Sequence, residues 1–262
     1  MAYTVDNMHS MAGQAPAIRH IGPSDLWRAL RLGWQDFLAA PTQLFFLALI
    51  YPIVGLVAAA VASGDSLLPM IWPLVSGFAL VGPLAALGFY EISRRRENGM
   101  EVSWLDALQV RHSPAIFSIL IMGVILLAIF VAWMTAARMI YGLTMGSIPN
   151  APFDAFVRFV FNSPEGMRMI VLGNAVGFFF AALVLVLTVV SFPMLLDRDP
   201  GIGVAIRTSI RAVAANPFTM ALWGLIVGTA LLLGAVPFFV GLAVVVPVLG
   251  HATWHLYRAV VV

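Results

Sequence analysis

The sequence has no cysteine and no lysine, and only 10% of its 262 residues carry a charged side chain. Without a thiol there is no disulfide, no thiolate nucleophile, no iron–sulfur ligation and no cysteine-based zinc site. Soluble domains carry roughly 25% charged residues. A chain with 61% hydrophobic residues and a mean hydropathy of +0.98 cannot cover a water-facing surface with polar groups, which excludes a soluble globular enzyme. The phosphate-loop, HExxH, GxSxG and dinucleotide-binding patterns are absent too, and with them the chemistries those spacings support. No apolar segment carries a charge near its centre, which argues against an ion-coupled pump or a voltage sensor.

What the sequence does have is apolar length. A helix rises 1.5 Å per residue and the hydrocarbon core of a bilayer is about 30 Å thick, so about 20 apolar residues cross it. Charge-free intervals run from Asp36 to Asp65, Asp65 to Glu91, His112 to Arg138 and Arg168 to Asp197, each holding one crossing. The interval from Arg211 to Arg258 holds two, with a reversal at Gly234, Pro237 and Gly241. The expectation is an all-α, polytopic membrane protein with six spans paired as three helical hairpins, at about 43–63, 69–91, 115–138, 168–193, 217–235 and 238–257. Ser113-Pro114, Ser163-Pro164-Glu165 and Asn216-Pro217 each set a capping side chain before a proline at the first helical position, where its missing N–H costs nothing. Residues 1–22 lack the continuous apolar core of a cleaved signal peptide and read as a tail, leaving 23–262 as one transmembrane domain.

All fourteen basic residues are arginines. They flank the apolar segments instead of forming one stripe, which favours the bilayer over nucleic acid as partner. With both termini in the cytoplasm, only Arg138, Arg158 and Arg168 lie outside and the other eleven lie inside, as the positive-inside rule requires.

Before each odd-numbered span runs a short amphipathic segment that ends at a proline: Asp25 to Pro41, Ser103 to Pro114 and Gly203 to Pro217. In the first, Leu26, Leu30, Trp34, Phe37 and Leu38 fall on one face, with Arg28, Arg31 and Gln35 elsewhere, the pattern of a helix lying along the membrane surface. Each even-numbered span carries a proline near its inner end, Pro83, Pro193 and Pro247. Together these outline possible parallel repeats at 25–100, 101–200 and 201–262. In the outer segment 139–167, Phe153, Phe156, Val157 and Val160 separate from Asp154 and Arg158 as in a short surface helix.

Few residues could carry chemistry. His251 and His255 share one helical face at i, i+4 and could ligate one metal or stand near a haem. Two donors do not close a site that needs four, and Glu91, Asp197 and His112 are the remaining candidates. Alternatively both histidines hydrogen-bond carboxylates or carbonyls at the interface. Alignment on the three prolines brings Glu91, Asp197, His251 and His255 to one depth as a polar cluster. Arg94, Arg95 and Arg96 either mark topology or bind anionic lipid headgroups, with Glu91 paired to them. Asp197, Arg198 and Asp199 read as a self-neutralising turn. No cofactor is expected.

The stretches GPLAALGFYEISRRRENG (82–99), GNAVGFFFAALVLVLTVVSFPMLLDRDPGIGVAIRTSIRAVAANPFTMALW (173–223) and VPVLGHATWHLYR (246–258) resemble a family of bacterial integral membrane proteins of unknown function. Some members of that family are labelled cytochrome c oxidase subunit I-like. The resemblance implies a bacterial cytoplasmic-membrane location and an association with respiratory or electron-transport machinery. An oxidase catalytic subunit holds two haems and a copper with several histidines inside its spans, whereas only His251 and His255 approach a span here. The expected role is therefore a non-catalytic accessory or assembly component of a larger membrane complex. The alternatives are a small-solute or ion permease with its path past Glu91, Asp197 and His255, and metal or haem binding at His251 and His255.

Overall fold

The structure, a computed structural model, describes residues 16–40, 70–146, 153–237 and 239–262. The regular structure of the described residues is helical, apart from an isolated bridge between Ile18 and Val261. Its helices are α1 (Pro23–Ala39), α2 (Ile71–Ala85), α3 (Leu87–Glu97), a 3-10 helix (Trp104–His112), α4 (Ile116–Met145), α5 (Phe153–Asn162), α6 (Pro164–Thr188), α7 (Ser191–Arg198), α8 (Ile202–Ala215), α9 (Pro217–Ala235) and α10 (Leu242–Val260).

Three stretches are long and apolar enough to cross a bilayer: Ile116–Met145, Pro164–Arg198 and Pro217–Ala235. Their outward residues, among them Phe117, Val124, Phe178, Leu225 and Phe218, are exposed and apolar, which suits hydrocarbon as solvent. The expected span at 217–235 coincides with α9 from end to end. The expected span at 115–138 runs on to Met145. The span at 168–193 is interrupted, because the Pro193 ring lacks an N–H and crowds the carbonyl four residues back. The helix breaks between Thr188 and Ser191. Ser209 of α8 closes the break: its hydroxyl donates to Val186 O (2.8 Å) and accepts from Val190 N (3.3 Å). Pro83 instead lies inside α2, three residues before the α2–α3 junction at Ala86. The expected span at 43–63 lies outside the described residues.

The chain divides into two compact units. One comprises the described parts of 48–82 and 123–184. Within it Trp133 donates its indole N–H to Pro73 O (2.8 Å) and its ring meets Phe180 at 5.7 Å. The short helix expected in the outer segment is α5, with Val160 buried and Arg158 exposed.

The other unit comprises the described parts of 1–47, 83–122 and 185–262. Its centre is α10, against which α1, α3, α7 and α9 pack. The second half of α10 is enclosed by protein, with Leu249, Gly250, His251, Ala252, Trp254, Leu256 and Tyr257 all buried. The approach of α1 is close because Gly33 faces the α10 backbone, where an added Cβ would stand 2.6 Å from Ala252 N. Gly250 admits the Phe89 ring of α3 in the same manner, at 2.4 Å from an added Cβ. Backbone cannot yield as a flexible side chain does. Gly33→Ala is expected to cost about 1–3 kcal/mol through overpacking, read as a lowered thermal midpoint in detergent. Gly203→Ala, with open space around the added carbon, leaves the midpoint unchanged or slightly higher.

Candidate functional site

The polar residues of the second unit meet where α1, α3, α7 and α10 come together, and they are ordered around carboxylates. On α10, His251 and His255 lie one turn apart on the face that meets α1 and α3. On α1, Asp36 sits in the buried stripe with Leu26, Ala29, Gly33 and Phe37. On α3, Ser93 is fully buried.

Asp36, only 4% exposed, is the hub. Its Oδ2 accepts the Ser93 hydroxyl (2.5 Å) and His255 Nε2 (2.8 Å), and its Oδ1 accepts Arg96 Nη1. A buried charge is tolerated only when paired and hydrogen-bonded, and here three donors from α3 and α10 supply that. Ser93 has one proton, which goes to the carboxylate. Its oxygen therefore accepts from His251 Nδ1 (2.8 Å), which fixes the proton of that imidazole on Nδ1. His251 Nε2 has no hydrogen-bond partner; the ring lies 5.2 Å from Phe89, whose backbone also adjoins it.

Although it contains a serine, a histidine and an aspartate, this order does not activate a nucleophile. In an acyl-transfer triad the histidine stands between serine and aspartate and takes the serine proton. Here the serine stands in the middle, holds its proton against the carboxylate, and faces no solvent.

The expected cluster of Glu91, Asp197, His251 and His255 resolves into separate pairings. Glu91, 2% exposed, accepts from Arg94 and from Arg95 Nε (2.8 Å), both on its own helix. Arg95 reaches on to Asp106 of the 3-10 helix (2.9 Å). Asp197 of α7 accepts the Tyr257 hydroxyl (2.6 Å) and lies 3.4 Å from Arg258 and 3.3 Å from Arg198. Glu97 accepts Trp254 Nε1 and Arg258 Nε, each at 3.0 Å. His251 and His255 are joined through Asp36 and Ser93 alone. His112 is exposed on the 3-10 helix, against Gln109. Among the described residues no group of three or more His, Cys, Asp or Glu is arranged to hold a metal ion. Arg94, Arg95 and Arg96, considered for lipid headgroups, each have a carboxylate partner within the unit.

Sequence reasoning missed Asp36, Ser93 and Glu97. Asp36 had a readable signal, because it is a charge on the otherwise apolar stripe of an amphipathic helix. Ser93 and Glu97 had none.

Three helical stretches of membrane-crossing length and apolarity define an integral membrane protein of helical type. Residues 71–197 match the model of a family described as "Predicted integral membrane protein (DUF2189)". No curated protein and no solved structure matches the chain.

Burial raises the Asp36 pKa, but the hydrogen bonds from His255 and Ser93, with both imidazoles nearby, outweigh it and hold the carboxyl below its ordinary value of 3.8. A carboxyl that binds its proton less tightly folded than unfolded stabilises the fold above the unfolded pKa, and that stabilisation is lost as pH falls through the folded pKa. The thermal midpoint of the wild type should decline as pH drops below about 4, with a component of the slope missing in Asp36→Asn. At neutral pH Asp36→Ala should cost about 3 kcal/mol, the lower end for a broken buried pair, because Arg96 is 38% exposed and can turn to water.

Proposed function

We propose that the protein is a non-catalytic accessory or assembly component of a larger complex in the bacterial cytoplasmic membrane, associated with respiratory or electron-transport machinery. In this reading it has six spans and both termini in the cytoplasm. The observation that carries the proposal is that the acidic groups of the polar cluster are spent on one another's neighbours. Glu91 is held by Arg94 and Arg95, Asp36 by Arg96, Ser93 and His255, and Asp197 by Tyr257. A permease path past Glu91, Asp197 and His255 needs polar groups free to exchange partners with a solute, and a metal centre needs donors that converge. Groups committed in this way instead fix α1, α3, α7 and α10 in one arrangement, which suits a scaffold.

The experiment is native electrophoresis of gently solubilised membranes carrying the tagged full-length chain, with in-gel staining for NADH dehydrogenase and cytochrome oxidase activities. The expected outcome is co-migration with a stained complex, and loss or reduction of that complex when the chain is deleted. Migration at its own mass alone, with stained complexes unchanged on deletion, contradicts the proposal.

A further inference from the structure

The outer face of α1 is used neither by the core nor by the pairings described above. Trp27, Arg31, Trp34 and Leu38 recur at i, i+4, i+7 and i+11, one stripe along a helix, opposite the buried stripe that meets α10. Trp27 is 73% exposed, Trp34 46% and Leu38 59%. Arg28 and Arg31 are exposed and have no ion pair or hydrogen bond among the described residues. The two acids of α1 are engaged elsewhere, Asp25 at the helix start and with Arg19, and Asp36 in the core.

Hydrogen bonds tie the chain leading into this helix to the start of α9. Ile21 N donates to Asn216 Oδ1 (2.8 Å), Asn216 Nδ2 donates to Arg19 O (3.1 Å), and the Thr219 hydroxyl donates to Ile21 O (3.0 Å). Asn216 and Thr219 bracket the first turn of α9, a helix that is apolar and long enough to cross. The start of α1 is thereby tied to the first turn of α9. Phe218, in that same turn, is 90% exposed. The helix that leads into this point, α8, contributes Arg207 and Arg211, again exposed, one turn apart and without a partner among the described residues; α8 contains no acid.

We infer that the outer face of α1, together with Arg207 and Arg211 of α8, docks on the anionic phospholipid headgroups of the leaflet at which α9 begins. Tryptophan seats its ring between acyl chain and headgroup, and the guanidinium of arginine matches phosphate in a bidentate fork. Four arginines with no carboxylate to answer them among the described residues complement an anionic surface. They differ in this from Arg94, Arg95 and Arg96, whose charge is already met inside the protein.

Two measurements on the full chain in nanodiscs of equimolar phosphatidylcholine and phosphatidylglycerol test this. In the first, lipid retained after detergent extraction is identified by native mass spectrometry. The wild type is expected to enrich phosphatidylglycerol, with enrichment falling about fivefold per arginine removed in Arg28→Gln/Arg31→Gln and, independently, in Arg207→Gln/Arg211→Gln. In the second, Trp34→Cys gives a unique thiol for a spin label, since the chain has no cysteine. The label should collide more with lipid-soluble oxygen than with an aqueous nickel complex. Equal retention of the two lipids, enrichment unchanged in both double variants, a label governed by the aqueous relaxer, or one shielded from both relaxers by a protein partner would each overturn the inference.

Discussion

One carboxylate constrains the arrangement of the charged unit. Asp36 lies on the inward face of α1, where a bare charge would be intolerable, and its three donors come from α3 and α10. Burying α1 therefore requires α3 and α10 to be in place, and the close approaches at Gly33 and Gly250 permit it. The state of His251 follows from the same group: Asp36 takes the Ser93 proton, so Ser93 must accept one from the imidazole. A buried ion pair is weak evidence for net stability and in some proteins specifies one arrangement, the role that best suits three donors drawn from two helices.

The arginines of α1, α3, α8 and α10 divide into two populations by their partners. Those on α3 and at the end of α10 meet Glu91, Glu97, Asp36, Asp106 and Asp197. Those on α1 and α8 meet none among the described residues. Sequence alone treats both as flanking charge, since both lie within a few residues of apolar segments. The difference is one of side-chain company, and it separates an internal framework from the face proposed to meet anionic lipid.

The parts legible in the sequence are those governed by local rules. The helix 217–235 is readable to the residue because Asn216-Pro217 starts it and Ala235 ends an apolar run. The helix over Phe153–Asn162 is readable from its periodicity. The break before Pro193 follows from proline chemistry, but its repair by Ser209 is a long-range event with no local mark. Spacing alone places Leu26 and Phe37 on the same face of α1 as Trp34 and Leu38. The structure buries the first pair and exposes the second. In water one apolar face is the rule; beside a bilayer both protein and lipid accept apolar side chains, and hydrophobicity ceases to distinguish them. The one-face placement of His251 and His255 follows from local spacing, whereas their connection through Asp36 spans more than two hundred residues of chain and leaves no trace in spacing.

The most direct test of this account is a double-mutant cycle on Asp36 and His255, with unfolding followed in detergent for Asp36→Ala, His255→Ala and the combined variant. If the carboxylate locks α1 to α10, the double variant loses less than the sum of the two single losses, with a coupling of at least about 1 kcal/mol. Losses that add to within about 0.5 kcal/mol would mean the two groups are neighbours without being partners, and the central constraint would lie elsewhere.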